Sequence, residues 1–173
     1  MKKYMIMGIL ILTSILIIVT TIKDSKNKEY PKDFNFTYSF GVDGKEGLDT
    51  YSNTLKYSSI KGIIELKLVL TVEEKNKIYS KLIEKDFMNI PASFPKLITF
   101  EISPIDKSYL SVDFQNKKNV VSWNTRNFNL LNTDNPTEGN EKLKAINEIG
   151  TFIQQIISDK LDTMDLPEKP SYL

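Results

Sequence analysis

Asp33-Phe34-Asn35-Phe36-Thr37-Tyr38-Ser39-Phe40 sets a polar residue before every aromatic one. In an extended chain successive side chains point to opposite faces. This order therefore gathers Phe34, Phe36, Tyr38 and Phe40 on one side and leaves Asn35, Thr37 and Ser39 on the other. A strand of that kind is half-buried, and four rings on one face belong to a core. Gly41 and Asp43-Gly44 supply the turn that ends it.

Working outward from that strand, the pattern predicts a mixed α+β domain. A second strand is expected from Leu48 to Tyr57, where Thr50, Tyr51, Thr54 and Leu55 suit a sheet. A third lies where Gly62, Ile64, Leu66, Leu68 and Leu70 alternate with Ile63, Glu65, Lys67 and Val69. Thr71-Val-Glu-Glu74 reads as a capping box, opening a helix that runs to about Lys85 with Ile78, Leu82 and Tyr79 or Ile83 on its apolar face. Pro91 and Pro95 bracket a loop. Strands resume at Leu97–Ser103, and Tyr109–Phe114 is expected to pair with Val120–Trp123 across Asn116-Lys-Lys-Asn119. Residues Asn124 to Asn140 read as a long loop. A last helix carries Leu143, Ile146, Ile149, Ile153, Ile156 or Ile157, and Leu161 on one stripe. Its centre holds Gly150, a weak helix former, so the stripe needs a cover to be stable in water.

The N-terminus reads differently. Met1-Lys2-Lys3 is followed by an uncharged run from Met5 to Ile22, mostly Ile, Leu, Met and Val. Eighteen residues at ~1.5 Å each span about 27 Å, close to the ~30 Å hydrocarbon core of a bilayer. A buried soluble helix would show a polar face, and this run has none, so it reads as a transmembrane helix. The exit, Val19-Thr20-Thr21-Ile22-Lys23-Asp24, lacks the small-x-small site that signal peptidase needs, which favours an uncleaved signal anchor. Lysines stand on both sides: Lys2 and Lys3 before the run, Lys23, Lys26 and Lys28 after it. The short basic start followed by an apolar run and a polar domain is the layout of an export signal, and it places the domain outside the cytoplasm. The expected organisation is an anchor and short tether over 1–29, an extracytoplasmic α+β domain over 30–166, and an extended Pro-containing tail over 167–173. That domain is expected to be an antiparallel sheet of about five or six strands with two helices on one face.

Composition narrows the chemistry. There is no His and no Cys, so imidazole bases, thiol nucleophiles, thiolate metal sites and disulfides are excluded. Of 23 basic residues, Lys2 and Lys3 precede the apolar run, and 22 acidic residues oppose the rest, so the remainder is near neutral. A domain without a basic stripe is a poor nucleic-acid binder, and no nucleic-acid partner is expected.

The order of signposts resembles a family of small, uncharacterised exported or membrane-anchored proteins of Gram-positive bacteria. The residues that carry the likeness are the strand Phe34–Gly41, Leu48-Asp-Thr-Tyr51, the helix start Leu70-Thr-Val-Glu-Glu74 leading to Ile78-Tyr79, and the exit Ile90-Pro91. Val120-Val-Ser-Trp123 and the ending Leu166-Pro-Glu-Lys-Pro-Ser-Tyr-Leu173 also fit. The likeness covers most of residues 33–173. It implies localisation and architecture and carries over no catalytic residue.

Candidate chemistry is sparse. Ser25/Lys28, Ser58/Lys61 and Ser93/Lys96 match Ser-x-x-Lys, and Ser122-Trp-Asn124 mimics a second motif of penicillin-interacting enzymes, but no Lys-Ser/Thr-Gly follows. Glu46/Asp49, Glu65, Glu101 and Asp113 could supply a carboxylate pair. Asp159, Asp162, Asp165 and Glu168 recur every three residues without the alternating oxygens and central Gly of a calcium loop, and read as solvation of a helix end. No cofactor and no metal are expected. Trp123 reads either as core or as a candidate ligand contact.

The expected function is therefore non-enzymatic: a membrane-anchored module, held through residues 5–22, that binds or senses an envelope protein or polymer. The alternative is a carboxylate-dependent hydrolase or transferase acting on envelope polymers. Two carboxylates converging in a concavity would favour the enzyme, whereas a sheet face lined with Ser, Thr and Asn would favour binding.

Overall fold

In the computed structural model, residues 29–94, 106–124 and 138–167 are described. The expected membrane span and tether, the strand at Leu97–Ser103 with Glu101, most of the long loop, and the tail from Glu168 lie outside them. Among the described residues no helix is long and apolar enough to cross a membrane.

The aromatic–polar alternation forms strand β1 (Asn35–Phe40), and around it the chain builds β2 (Glu46–Asp49), β3 (Thr54–Ser59), β4 (Gly62–Lys67), β5 (Lys107–Phe114) and β6 (Lys117–Asn124). These make one six-stranded sheet in the order β4-β3-β2-β1-β5-β6. Every neighbouring pair is antiparallel. Helix α1 (Val72–Glu84) separates β4 from β5, and helix α2 (Glu138–Leu161) follows β6. The α+β architecture expected from the periodicities is the one observed.

Two connections differ from expectation. The run from Leu48 to Tyr57 is not one strand but two, folded at Thr50–Asn53. Asn53 takes a left-handed φ of 55°, and the Asp49 carboxylate accepts from the Tyr51 N–H at 2.8 Å, the local bond of an Asx turn. Thr50 Oγ1 accepts from the Phe36 N–H at 2.8 Å and donates to the Phe36 carbonyl at 2.9 Å, fastening the turn to β1. The β5–β6 hairpin closes earlier than expected, through Gln115-Asn116 alone. Both residues have positive φ, 51° and 58°, the twist that a two-residue hairpin favours. Asn119, expected in the turn, lies within β6, and its side-chain amide donates to the Phe87 and Ile90 carbonyls at 2.8 and 3.0 Å.

The inner face of the sheet is the core. Phe36 and Tyr38 stand opposite Val112 and Leu110, and Leu110 stands opposite Val121, so their side chains share one side. They cluster with Ile78, Tyr79 and Leu82 of α1 and with Leu143, Ile146, Ile149, Ile153 and Ile157 of α2. Both helices thus cover one face. The capping box at the start of α1 is complete: Thr71 Oγ1 accepts from the Glu74 N–H, and the Glu74 carboxylate accepts from the Thr71 N–H. Of the two candidates for the last position on the α1 stripe, Tyr79 is buried and Ile83 exposed. Lys160 reaches Glu74 at 3.1 Å and Lys85 reaches Glu148 at 2.5 Å, so the helices lie antiparallel and joined near both ends. Gly150 lets α2 lie close on the sheet. A Cβ there would come within 2.8 Å of Trp123 Cζ2 and 2.9 Å of the Tyr38 hydroxyl.

Candidate functional site

The alternation that buries Phe36 and Tyr38 turns Thr37 and Ser39 to the other face, and the register repeats this across the sheet. One row runs Lys67, Thr54, Asp49, Thr37, Ser111, Val120; the next runs Glu65, Lys56, Gly47, Ser39, Tyr109, Ser122. Hydroxyls therefore fill the middle of the outer face, and charges gather toward β4. Neither described helix lies on this side.

Gly47 shapes the middle of that face. A glycine inside a strand marks a bulge or a close backbone approach. Here a Cβ would lie 2.5 Å from the Tyr38 carbonyl oxygen and 2.9 Å from Ser39 Cα, so the strand spacing admits only glycine. With no side chain between Ser39 and Lys56, the surface hollows into a cleft of about 370 Å³, bordered by Thr37, Ser39, Asp49, Thr54, Lys56 and Glu65. Glu46 also lines it. The signal lies in Gly47 itself, one residue before the Leu48 at which the sequence pattern starts the second strand.

The cleft brings together two of the candidate carboxylates, Asp49 and Glu65, on the outer face; Glu46 stands opposite Phe40 in the register, so its side chain belongs to the inner side, where it also lines the second cleft. Asp49 is committed to its turn, accepting from the Tyr51 N–H at 2.8 Å through one oxygen and from Ser52 Oγ at 3.0 Å through the other. Glu65 stands directly across from Lys56. These acids sit among hydroxyls and an ammonium group, whereas a carboxyl tuned as a general acid stands against an apolar wall. Asp113 is placed apart from them. It accepts the Tyr51 hydroxyl proton in a hydrogen bond and lies 3.5 Å from Lys118 Nζ. The turn carrying Tyr51 therefore leans across β1 to reach β5. Partial burial, followed by the bond to Asp113 and the negative charges of Asp113 and Asp49, pushes the Tyr51 phenol from 10.0 up to about 12.

Other candidates separate. Trp123 is 6% exposed. Its indole stacks on the Tyr38 ring at 6.2 Å and is packed under α2, on the face opposite the cleft. Ser58 lies on β3 and Lys61 in the turn beyond it; Lys28 and Lys96, from the other two Ser-x-x-Lys pairs, fall outside the described residues. Among the described residues no three acidic side chains are grouped to hold a metal ion. A second cleft, of about 440 Å³, opens on the inner side between β3 and the end of α2, with Leu55, Tyr57, Ile157, Leu161 and Leu166 in its wall. The chain's own C-terminal segment closes on it, since the Tyr57 hydroxyl donates to the Pro167 carbonyl at 3.1 Å.

Comparison with known protein families and with curated proteins finds no match. The site must then be judged by its own chemistry. A shallow trough of hydroxyls with one lysine and a few carboxylates can donate to and accept from a polar chain laid across it.

Proposed function

We propose that this chain is a membrane-anchored, extracytoplasmic binding or sensing module of the cell envelope, held in the bilayer by residues 5–22 and using the outer sheet face as its contact surface. The observation that supports it is the contrast between an inner face packed under both helices and a hydroxyl-rich outer face, without a described helix on it, hollowed at Gly47. The apolar run with its basic start supports the anchor, and the likeness to small exported proteins of Gram-positive bacteria points to the same compartment. The ligand class is an uncharged or mixed-charge polar polymer, a wall glycan or an extended peptide, since such chains present the alternating donors and acceptors that Ser, Thr, Asp and Lys satisfy.

The test is co-sedimentation of the full chain, in detergent micelles, with isolated Gram-positive cell wall. Wild type should sediment with the wall, and Ser39→Arg, which fills the cleft, should stay in the supernatant. Equal sedimentation of the two proteins, or none of either, would sink the reading. The pairing of Asp49 and Glu65 on the border of the outer cleft favours one second reading, a hydrolase or transferase acting on the same polymer. That reading requires soluble wall fragments to be released on incubation, and the release to stop in Asp49→Asn or Glu65→Gln.

A further inference from the structure

The two edges of the sheet are treated differently. Along β6 the chain lays its own cover: the Ser122 N–H donates to the Ala92 carbonyl at 2.9 Å, and Ser93 bridges Ser122 in parallel. The far edge of β4 has no described strand beside it. Its backbone is nevertheless arranged for one. The two-residue turn at Ile60-Lys61 sets Ser59 opposite Gly62, and the Leu68 N–H donates to the Asn53 carbonyl on the β3 side. Even-numbered residues of β4 therefore bond to β3. By the alternation of an antiparallel ladder, Ile63, Glu65 and Lys67 turn their N–H and C=O groups outward.

The side chains along this edge are unusual for a free strand. Ile60 is 62% exposed, Ile63 44% and Val69 52%, and Val72, at the start of α1, is 59% exposed; these are half of the large exposed apolar side chains among the described residues. Edge strands avoid pairing by carrying charge. Here the charges are Glu65 and Lys67, one of each sign and two residues apart, which repel a copy in some registers and attract it in another.

We propose that a second copy of this chain pairs antiparallel along β4, about a two-fold axis through Leu66. In that register Glu65 faces Lys67 of the second copy and Ile63 faces its Val69, each pairing occurring twice. The outward backbone groups of Glu65 and Lys67 then bond each other. A register centred on Glu65 would oppose the two Glu65 side chains, and one centred on Ile64 would oppose Lys61 to Lys67. Charge thus favours this register over its neighbours centred on Ile64, Glu65 and Lys67, the last of which would oppose the two Lys67 side chains. Pairing would double the six-stranded sheet and set two outer-face clefts side by side, with Glu65 on the border of each. A single strand pair is a small interface, so the association is weak and depends on concentration.

The absence of cysteine makes the test clean, because introduced thiols have no competitors. Full chains carrying Ile63→Cys are mixed, in detergent micelles, with full chains carrying Val69→Cys and then oxidised. The expected product is the disulfide between unlike chains, in excess over either chain alone and over a control mixture carrying Lys75→Cys on α1. Adding Glu65→Lys to both chains, or Lys67→Glu to both, should lower the yield about tenfold, and the double exchange should restore it. Random cross-linking, equal for the control and the edge pair, overturns the proposal. Indifference to the charge changes overturns it too. Neither the membrane reading nor the envelope ligand enters the result.

Discussion

The two faces of this sheet are made by the same strands and obey opposite rules. On the inner face Phe36, Leu110, Val112 and Val121 are wholly buried, and both helices pack against them. On the outer face the residues between these, Thr37, Ser39, Ser111 and Ser122, carry hydroxyls. The difference shows where stability resides. One face carries the hydrophobic free energy of the fold, so the other can change its side chains while the backbone that positions them stays fixed.

The sharpest way to break this comparison is to truncate one side chain on each side of the sheet. Ile153→Ala, at a wholly buried position on the α2 stripe, should cost ~2–5 kcal/mol through lost transfer energy and the cavity left behind. Ser39→Ala on the outer face should stay within ~0.5 kcal/mol of wild type. Chemical denaturation of the full chain measures both. Comparable losses would mean that the outer face also bears the fold, and that a covering layer lies upon it.

A smaller effect tests the link between the faces. Thr50→Val keeps shape but removes the hydroxyl that both accepts from and donates to Phe36. The Phe36 N–H would then be buried without a partner, at a cost of ~1–3 kcal/mol. Thr50→Ser, which keeps the hydroxyl, should recover most of that loss in the same denaturation measurement.

The smallest effect is one of pH. Tyr51 holds its proton to about pH 12 in the folded protein, against 10.0 for a free side chain. Its stabilising contribution is therefore complete below about pH 10 and is lost as pH rises through about 12. Alkaline titration of tyrosinate absorbance, wild type against Tyr51→Phe, should show one phenol missing from the late part of the curve. A difference centred near pH 10 would mean that the turn does not reach Asp113 in solution.

The parts legible in the sequence were those written locally. The alternation at Phe34–Phe40 states which residues are core, and Thr71 with Glu74 states where a helix begins. The α2 stripe, spaced three and four apart, states its buried side. The hairpin between β2 and β3 was not legible because Thr50, Tyr51 and Thr54 all favour strand. What folds the chain there is a bond from Thr50 to Phe36, a partner 14 residues away in sequence. Gln115-Asn116 lacks the glycine that usually announces a two-residue hairpin, so its register is set by the strands. The site was legible only in part. Carboxylates could be named, but their gathering depends on the order β4-β3-β2-β1, which places Glu65 near Asp49 through two intervening turns.

Gly150 lets α2 settle against Trp123 and Tyr38, and Trp123 is the only tryptophan in the chain. The protein therefore carries a single native fluorophore at the seam between helix and sheet, with a tyrosine stacked on it. Light emitted by that one indole follows the seating of α2 directly. No dye is needed, and no second tryptophan blurs the signal.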